Sequence, residues 1–95
     1  MRLFVRIGKL GRVQGPECGY QCFGDDASRV RKPDVSFIDK TRFPIQRAKY
    51  GHLRIAPDFA GEVISPNEKG YRINEKVHQF LRAGVRLIWL IFPET

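Results

Sequence analysis

The sequence predicts a single mixed α/β (α+β) domain, and three observations carry that expectation. The chain has 95 residues, 42% of them hydrophobic, which allows one domain with a small core. Two short apolar stretches, near 34–38 and 59–64, alternate in the manner of strands. Between Gly70 and Ala83, Ile73, Val77, Phe80 and Leu81 recur at the spacing of one helix face, and an apolar run, 85–92, follows. Strand, helix and strand in that order form a βαβ unit, which calls for parallel strands and a right-handed crossover in the C-terminal half. With the earlier strands the sheet is mixed.

In chain order, residues 1–7 set Arg2, Phe4 and Arg6 against Leu3, Val5 and Ile7, a strand pattern with one apolar face. Glycines at 8, 11, 15 and 19 then favour turns over helix. Residues 20–23 are expected as a short strand paired with 12–14, and 24–28 as a polar loop. Residues 30–38 read as a strand interrupted by Pro33, which has no N–H for a ladder and marks a strand start or an edge. Residues 39–53 read as a long connection with a short helical turn near 46–49. The next strand, 59–64, stops at Ser65-Pro66-Asn67 because Pro66 starves the ladder. Ser65 or Asn67 is placed to cap the helix, and Gly84 to close it. The run 85–92 is almost continuously apolar, the signature of a strand buried on both faces.

Composition narrows the function classes. The net charge is +7, from 17 basic and 10 acidic residues. That balance attracts polyanions, although solvated basic faces produce it equally well. Run 85–92 contains Arg86 and is too short to cross a bilayer. Residues 1–8 carry a charge too early for a secretory signal, so the cytoplasm is expected. Cys18 and Cys22 would stand roughly 13 Å apart in an extended stretch, too far for a disulfide or a shared zinc. With His52 and His78 the only histidines, a four-ligand zinc site is disfavoured and free thiols are expected. Ninety-five residues leave a small stability margin, which favours an oligomer or further flanking sequence.

The residues that point to chemistry are acids in or beside the strands and a lysine on the helix. Metal-dependent phosphodiester cleavage needs hard oxygen ligands, and Mg²⁺ takes one or two carboxylates. Side chains directly paired on neighbouring strands lie about 4.5–5.5 Å apart, near enough to share an ion. Asp34, Asp58 and Glu62 compete for that role. Asp58 and Glu62 point to one side of a strand but lie roughly 13 Å apart, so at most one joins Asp34. Asp58 follows Pro57, where turn and capping roles are common. Glu62 lies inside the strand, where a carboxylate is costly to bury without a partner. Glu62 is therefore preferred, against the alternative of a solvent-facing position. Taking Ile73 as origin at about 100° per residue, Val77 falls near 40°, Phe80 near 340°, Leu81 near 80° and Lys76 near 300°, at the margin of the apolar stripe. Two readings of Lys76 stand: a lysine snorkelling over apolar surface, the commoner use of such a position, and an ammonium aimed at a scissile phosphate and its attacking water.

Taken together these residues resemble the Uma-two family of restriction-endonuclease-like proteins, within the PD-(D/E)XK nuclease superfamily. The resemblance runs through Arg31-Lys32-Pro33-Asp34-Val35-Ser36-Phe37-Ile38, Ala56-Pro57-Asp58-Phe59, Glu62-Val63-Ile64-Ser65-Pro66, Lys76, Gly84-Val85, Ile88-Trp89-Leu90 and Pro93-Glu94, with the Gly-rich 10–20 as a first hairpin. It implies a mixed sheet flanked by helices, with Asp34 and Glu62 as the metal-binding acids and Lys76 as the catalytic lysine. Ile64 stands where the superfamily's lysine follows the second acid by two residues, and Lys76 fits a lysine moved to the following helix. Compared with the family, the chain is shortened at both ends, which makes a homodimer the expected assembly.

The leading expectation is thus a Mg²⁺- or Mn²⁺-dependent endonuclease acting on DNA. In it Asp34 and Glu62 hold the metal, Lys76 stabilises the transition state, and Gln79 is a candidate helper farther round the helix. A catalytically inactive nuclease-like module that binds nucleic acid stands second. An assembly module whose charge is incidental stands third.

Overall fold

The computed structural model describes residues 10–42 and 52–93. The expectations for a strand at 1–7 and a helical turn at 46–49 lie outside the described residues. Among the described residues four strands and a helix succeed one another: β1 (Gly11–Gln14), β2 (Val35–Asp39), β3 (Phe59–Val63), α1 (Gly70–Ala83) and β4 (Leu87–Ile91). The sheet order is β1-β2-β3-β4. Pairs β1–β2 and β2–β3 are antiparallel, and β3–β4 is parallel with α1 as the crossover. The sheet is mixed and the fold is α+β, as the pattern of the sequence requires.

Alternation assigns the two faces. Ser36 and Ile38 of β2 and Ala60 and Glu62 of β3 are buried on one side, and this side carries the core. Phe80 of α1 joins Phe23, Ala56, Ala60 and Val85 in one cluster, while Cys18, Tyr20, Ile38 and Leu53 form a second. Phe23 and Phe80 meet as tilted rings with centroids 5.8 Å apart. The fully buried Tyr20 hydroxyl bonds to Ser36 Oγ at 2.6 Å, so both hydroxyls are satisfied away from water.

On the other face, Gly61 lets β2 and β3 approach: a Cβ there would lie 2.6 Å from Val35 Cγ1. The same face presents Val63, Leu87, Trp89 and Ile91, each between 43% and 52% exposed. This corrects the expectation for 85–92. Its central part is a strand, but among the described residues β4 is the last strand of the sheet and Leu87, Trp89 and Ile91 are about half exposed, so β4 is not buried on both faces. Trp89 instead rests edge-on against Phe59 at 5.1 Å.

Three further elements differ from expectation. Residues 20–23 do not form a strand against 12–14. Arg12–Gln14 belongs to β1, which pairs with β2, and Tyr20 makes isolated bridges to Arg31 and Leu53. The strand expected from residue 30 begins at Val35, just after the buried Pro33, as a residue without an N–H dictates. The helix N-cap is Lys69, in extended conformation and with no side-chain cap bond, rather than Ser65 or Asn67. The other end is as expected: Gly84 is left-handed (φ 106°), its N–H bonded back to the last turn.

Candidate metal and phosphate site

The site begins with β3, which lies between β2 and β4 and presents Glu62 to the face under α1. Glu62 is 8% exposed, so the solvent-facing alternative does not hold. Asp34 stands just before β2, and its Oδ2 accepts a hydrogen bond of 2.7 Å from the Val63 N–H. The β2–β3 register, with Val35 opposite Gly61, sets Asp34 opposite Glu62, and that bond draws the Asp34 carboxyl to the end of β3. Burial pushes the Glu62 carboxyl up to about 7. The neighbouring Lys76 ammonium pulls it back, while Asp34, by its charge and as hydrogen-bond partner, and Glu68 push it further.

Lys76 reaches this group from α1. Its Nζ lies 3.2 Å from Glu68 Oε1, and both side chains are about four-fifths buried. Glu68, in the turn before the helix, was not singled out by sequence reasoning. Glu68 lies outside the helix, so its contact with Lys76 follows from the path of the turn and not from helical periodicity.

The helix faces the site on a different arc from the one its apolar residues indicate. Leu81 is 50% exposed, whereas Gln79 is buried and Lys76 and Ala83 are half-buried. With Ile73 again at the origin, the covered arc runs from Gln79 near about 240° through Lys76 near 300° to Val77 near 40°. Lys76 therefore lies within the covered arc and not at its margin. Gln79 Oε1 accepts two bonds from Arg31, from Nε at 3.0 Å and Nη2 at 2.6 Å. Its Nε2 donates to Glu75 Oε1 at 3.3 Å.

Asp58, the competing acid, is fully engaged elsewhere. Its Oδ2 accepts from the Asp39 N–H at 2.7 Å and its Oδ1 pairs with Arg42 Nη1 at 2.6 Å. Its carbonyl accepts from the Arg86 and Leu87 N–H groups. Asp58 is a clasp between the ends of β2, β3 and β4. Ile64 is buried at 3% exposure, an apolar side chain where a lysine would follow the second acid by two residues.

Around Glu62 opens a cleft of about 480 Å³ lined by Val30, Arg31, Lys32, His52, Glu62 and Lys76. Three cations against one carboxyl give it a positive mouth. Two carboxyls opposed across β2 and β3, Asp34 and Glu62, form a hard oxygen donor pair that suits Mg²⁺ or Mn²⁺. Among the described residues no third His, Cys, Asp or Glu joins them in a metal-holding group, and Mg²⁺ commonly leaves its remaining positions to water and phosphate.

This arrangement of strand-borne acids under a helix-borne lysine coincides with a match along the whole chain, residues 1–95, to the Uma2 (Uma-two) family, described as "putative restriction endonuclease". The chain belongs to the Uma2 family. Among solved structures it is similar to a protein from Anabaena variabilis described as "a putative nuclease belonging to DUF820", with a TM-score of 0.69 and 27% identity. The match covers 94% of this Uma2 chain and 48% of the Anabaena chain, so the chain spans about half the length of that relative. No curated protein matches it. Among the described residues no helix is long and apolar enough to cross a membrane.

Proposed function

We propose that this chain is a divalent-metal-dependent endonuclease that hydrolyses DNA phosphodiester bonds. The observation that carries the reading is the buried Glu62 carboxyl, set opposite Asp34 by the β2–β3 register and sharing its cleft with Lys76. Membership of the Uma2 family and likeness to the Anabaena protein support it.

Asp34 and Glu62 would hold the ion, which would displace the proton that burial favours on Glu62. Mg²⁺ or Mn²⁺ there would supply Lewis-acid charge and a bound water of lowered pKa. The chain's own contribution is orientation and charge. The Val63 N–H fixes Asp34, and the strand fixes Glu62. Lys76 carries an ammonium that neutralises charge developing on the scissile phosphate, with Glu68 holding it in place beforehand. The basic cleft draws the DNA backbone towards these groups. Free Cys18 and Cys22 accord with a reducing, cytoplasmic setting.

The test is plasmid cleavage with Mg²⁺ and with Mn²⁺, wild type beside Glu62→Gln and Asp34→Asn. Metal-dependent nicking is expected, reduced on the order of 100-fold or more by either substitution, since loss of mere supporting groups already costs 10–100-fold. A folded wild type that binds DNA in a salt-sensitive way but cleaves with neither ion, and whose binding ignores both substitutions, would replace the nuclease by a non-cleaving binding module.

A further inference from the structure

Arg31 stands between two hollows. It lines the cleft that holds Glu62, and it lines the adjoining hollow bounded by Glu68, Tyr71, Arg72, Glu75 and Lys76. Its position is fixed from both ends. The backbone is bridged to the fully buried Tyr20, with N···O distances of 2.8 and 3.0 Å. The guanidinium is held through Nε and Nη2 by Gln79, which is 7% exposed.

The identity of that holder is informative. A half-buried arginine held for stability alone ordinarily meets a carboxylate, because its charge is costly to leave unmatched. Here the holder is a neutral amide, which fixes the plane of the fork without cancelling its charge. Among the described residues Arg31 forms no ion pair, and Nη1 makes no hydrogen bond. An oriented, uncompensated guanidinium with free donors matches a phosphate group, which it can grip through two parallel bonds.

We propose that Arg31, oriented by Gln79, forms a phosphodiester subsite of a nucleic acid strand, binding a phosphate next to the one that reacts at Asp34 and Glu62. The subsite rests on the nuclease reading for its place beside a reacting bond, and on its own geometry for the binding of phosphate. A strand crossing from one hollow to the other passes both Arg31 and Lys76, so the ridge sets which bond reaches the carboxylates. Lys32, exposed beside Arg31 on the cleft wall, adds charge without a fixed geometry.

The experiment measures binding of a short fluorescent DNA duplex in Ca²⁺ across a salt series, and cleavage in Mg²⁺, for wild type, Arg31→Ala, Arg31→Lys and Gln79→Leu. Arg31→Ala should weaken binding about 10-fold, uniformly across sequences, and reduce the salt slope by about one. Arg31→Lys keeps the charge and should keep the slope, yet lose several-fold in affinity because an ammonium cannot grip bidentately. In cleavage the loss falls on KM more than on kcat. If Arg31→Ala is unstable by thermal melting, Arg31→Lys and Gln79→Leu carry the same comparison. Wild-type affinity and salt slope in every variant that folds would overturn the subsite, even if Glu62→Gln abolishes cleavage and the nuclease reading stands. Conversely, a wild type that never cleaves, but loses affinity and one unit of slope with Arg31→Ala, would retain the subsite and remove the nuclease.

Discussion

Glu62 places a titrating group near neutral pH inside a small protein, and its consequences are measurable without a substrate. Its ordinary value is 4.5 and its folded value about 7, raised chiefly by burial. The folded state therefore holds the proton more tightly than the unfolded chain. The stability so gained is fully present below about pH 4.5 and is lost progressively as pH rises through 7. At 1.36 kcal/mol per pH unit the loss is at most roughly 3 kcal/mol. Thermal melts from pH 4.5 to 8.5 should show wild type falling across this window and Glu62→Gln, a permanent stand-in for the protonated form, falling less. Added Mg²⁺ or Mn²⁺ at pH 8 should restore the wild type, because an ion takes the place of the Glu62 proton, and leave Glu62→Gln unmoved. A wild type whose melting temperature is level across the window would show that Glu62 is not buried beside Asp34. The burial of Glu62 and the local bonding of Asp58 were legible in the sequence, because a carboxylate inside an apolar strand needs a reason, whereas one after Pro57 has a local one. The Glu68 contact to Lys76 was not legible, since it depends on the path of a turn.

At the scale of elements, α1 shows where pattern succeeds and where it stops. Its bounds, Gly70–Ala83, follow from the apolar period and Gly84. The rotation of its covered face does not, because a wheel drawn from apolar residues places Leu81 inward and ignores Gln79. The buried amide is there to hold Arg31, a reason found only in the fold. The N-terminus departs from the pattern for a related cause: Ser65 and Asn67 are typical caps, but the helix starts later, with Lys69 as N-cap and no side-chain cap bond, its first turn helped by the Arg72 N–H bonding to the Lys69 carbonyl. Lys69 already has the extended backbone a cap needs (φ −77°, ψ 141°). Lys69→Ser should therefore stabilise the protein by about 0.5–1 kcal/mol. In a domain of this size that is a rise of several degrees in melting temperature. An unchanged or lower midpoint would mean that another group already satisfies the first turn.

For the whole molecule, strand order decides what composition cannot. The run 85–92 is apolar throughout, but apolar composition states only what a strand is able to bury. Its place as the last strand of the sheet among the described residues leaves Leu87, Trp89 and Ile91 about half exposed. The two core clusters contain none of them. Cohesion therefore lies on the face that carries Glu62, partly under the helix around Phe80 and partly under the connections that carry Tyr20 and Leu53, so packing there should govern both stability and the site. Phe80 is fully buried at the centre of one cluster, and Phe80→Ala should cost about 3–5 kcal/mol. That is much of the 5–15 kcal/mol typical of a domain. Trp89 is larger but half exposed, with Phe59 as its ring partner, and Trp89→Ala should cost roughly 1–2 kcal/mol at about 25 cal/mol per Å². Urea unfolding of the two variants would measure the ratio. If Trp89→Ala proves as damaging as Phe80→Ala, the open face of the sheet is covered in solution. If the costs rank as expected, the two buried clusters outweigh the contacts of Trp89 in holding the fold, and packing on that face sets the geometry around Glu62.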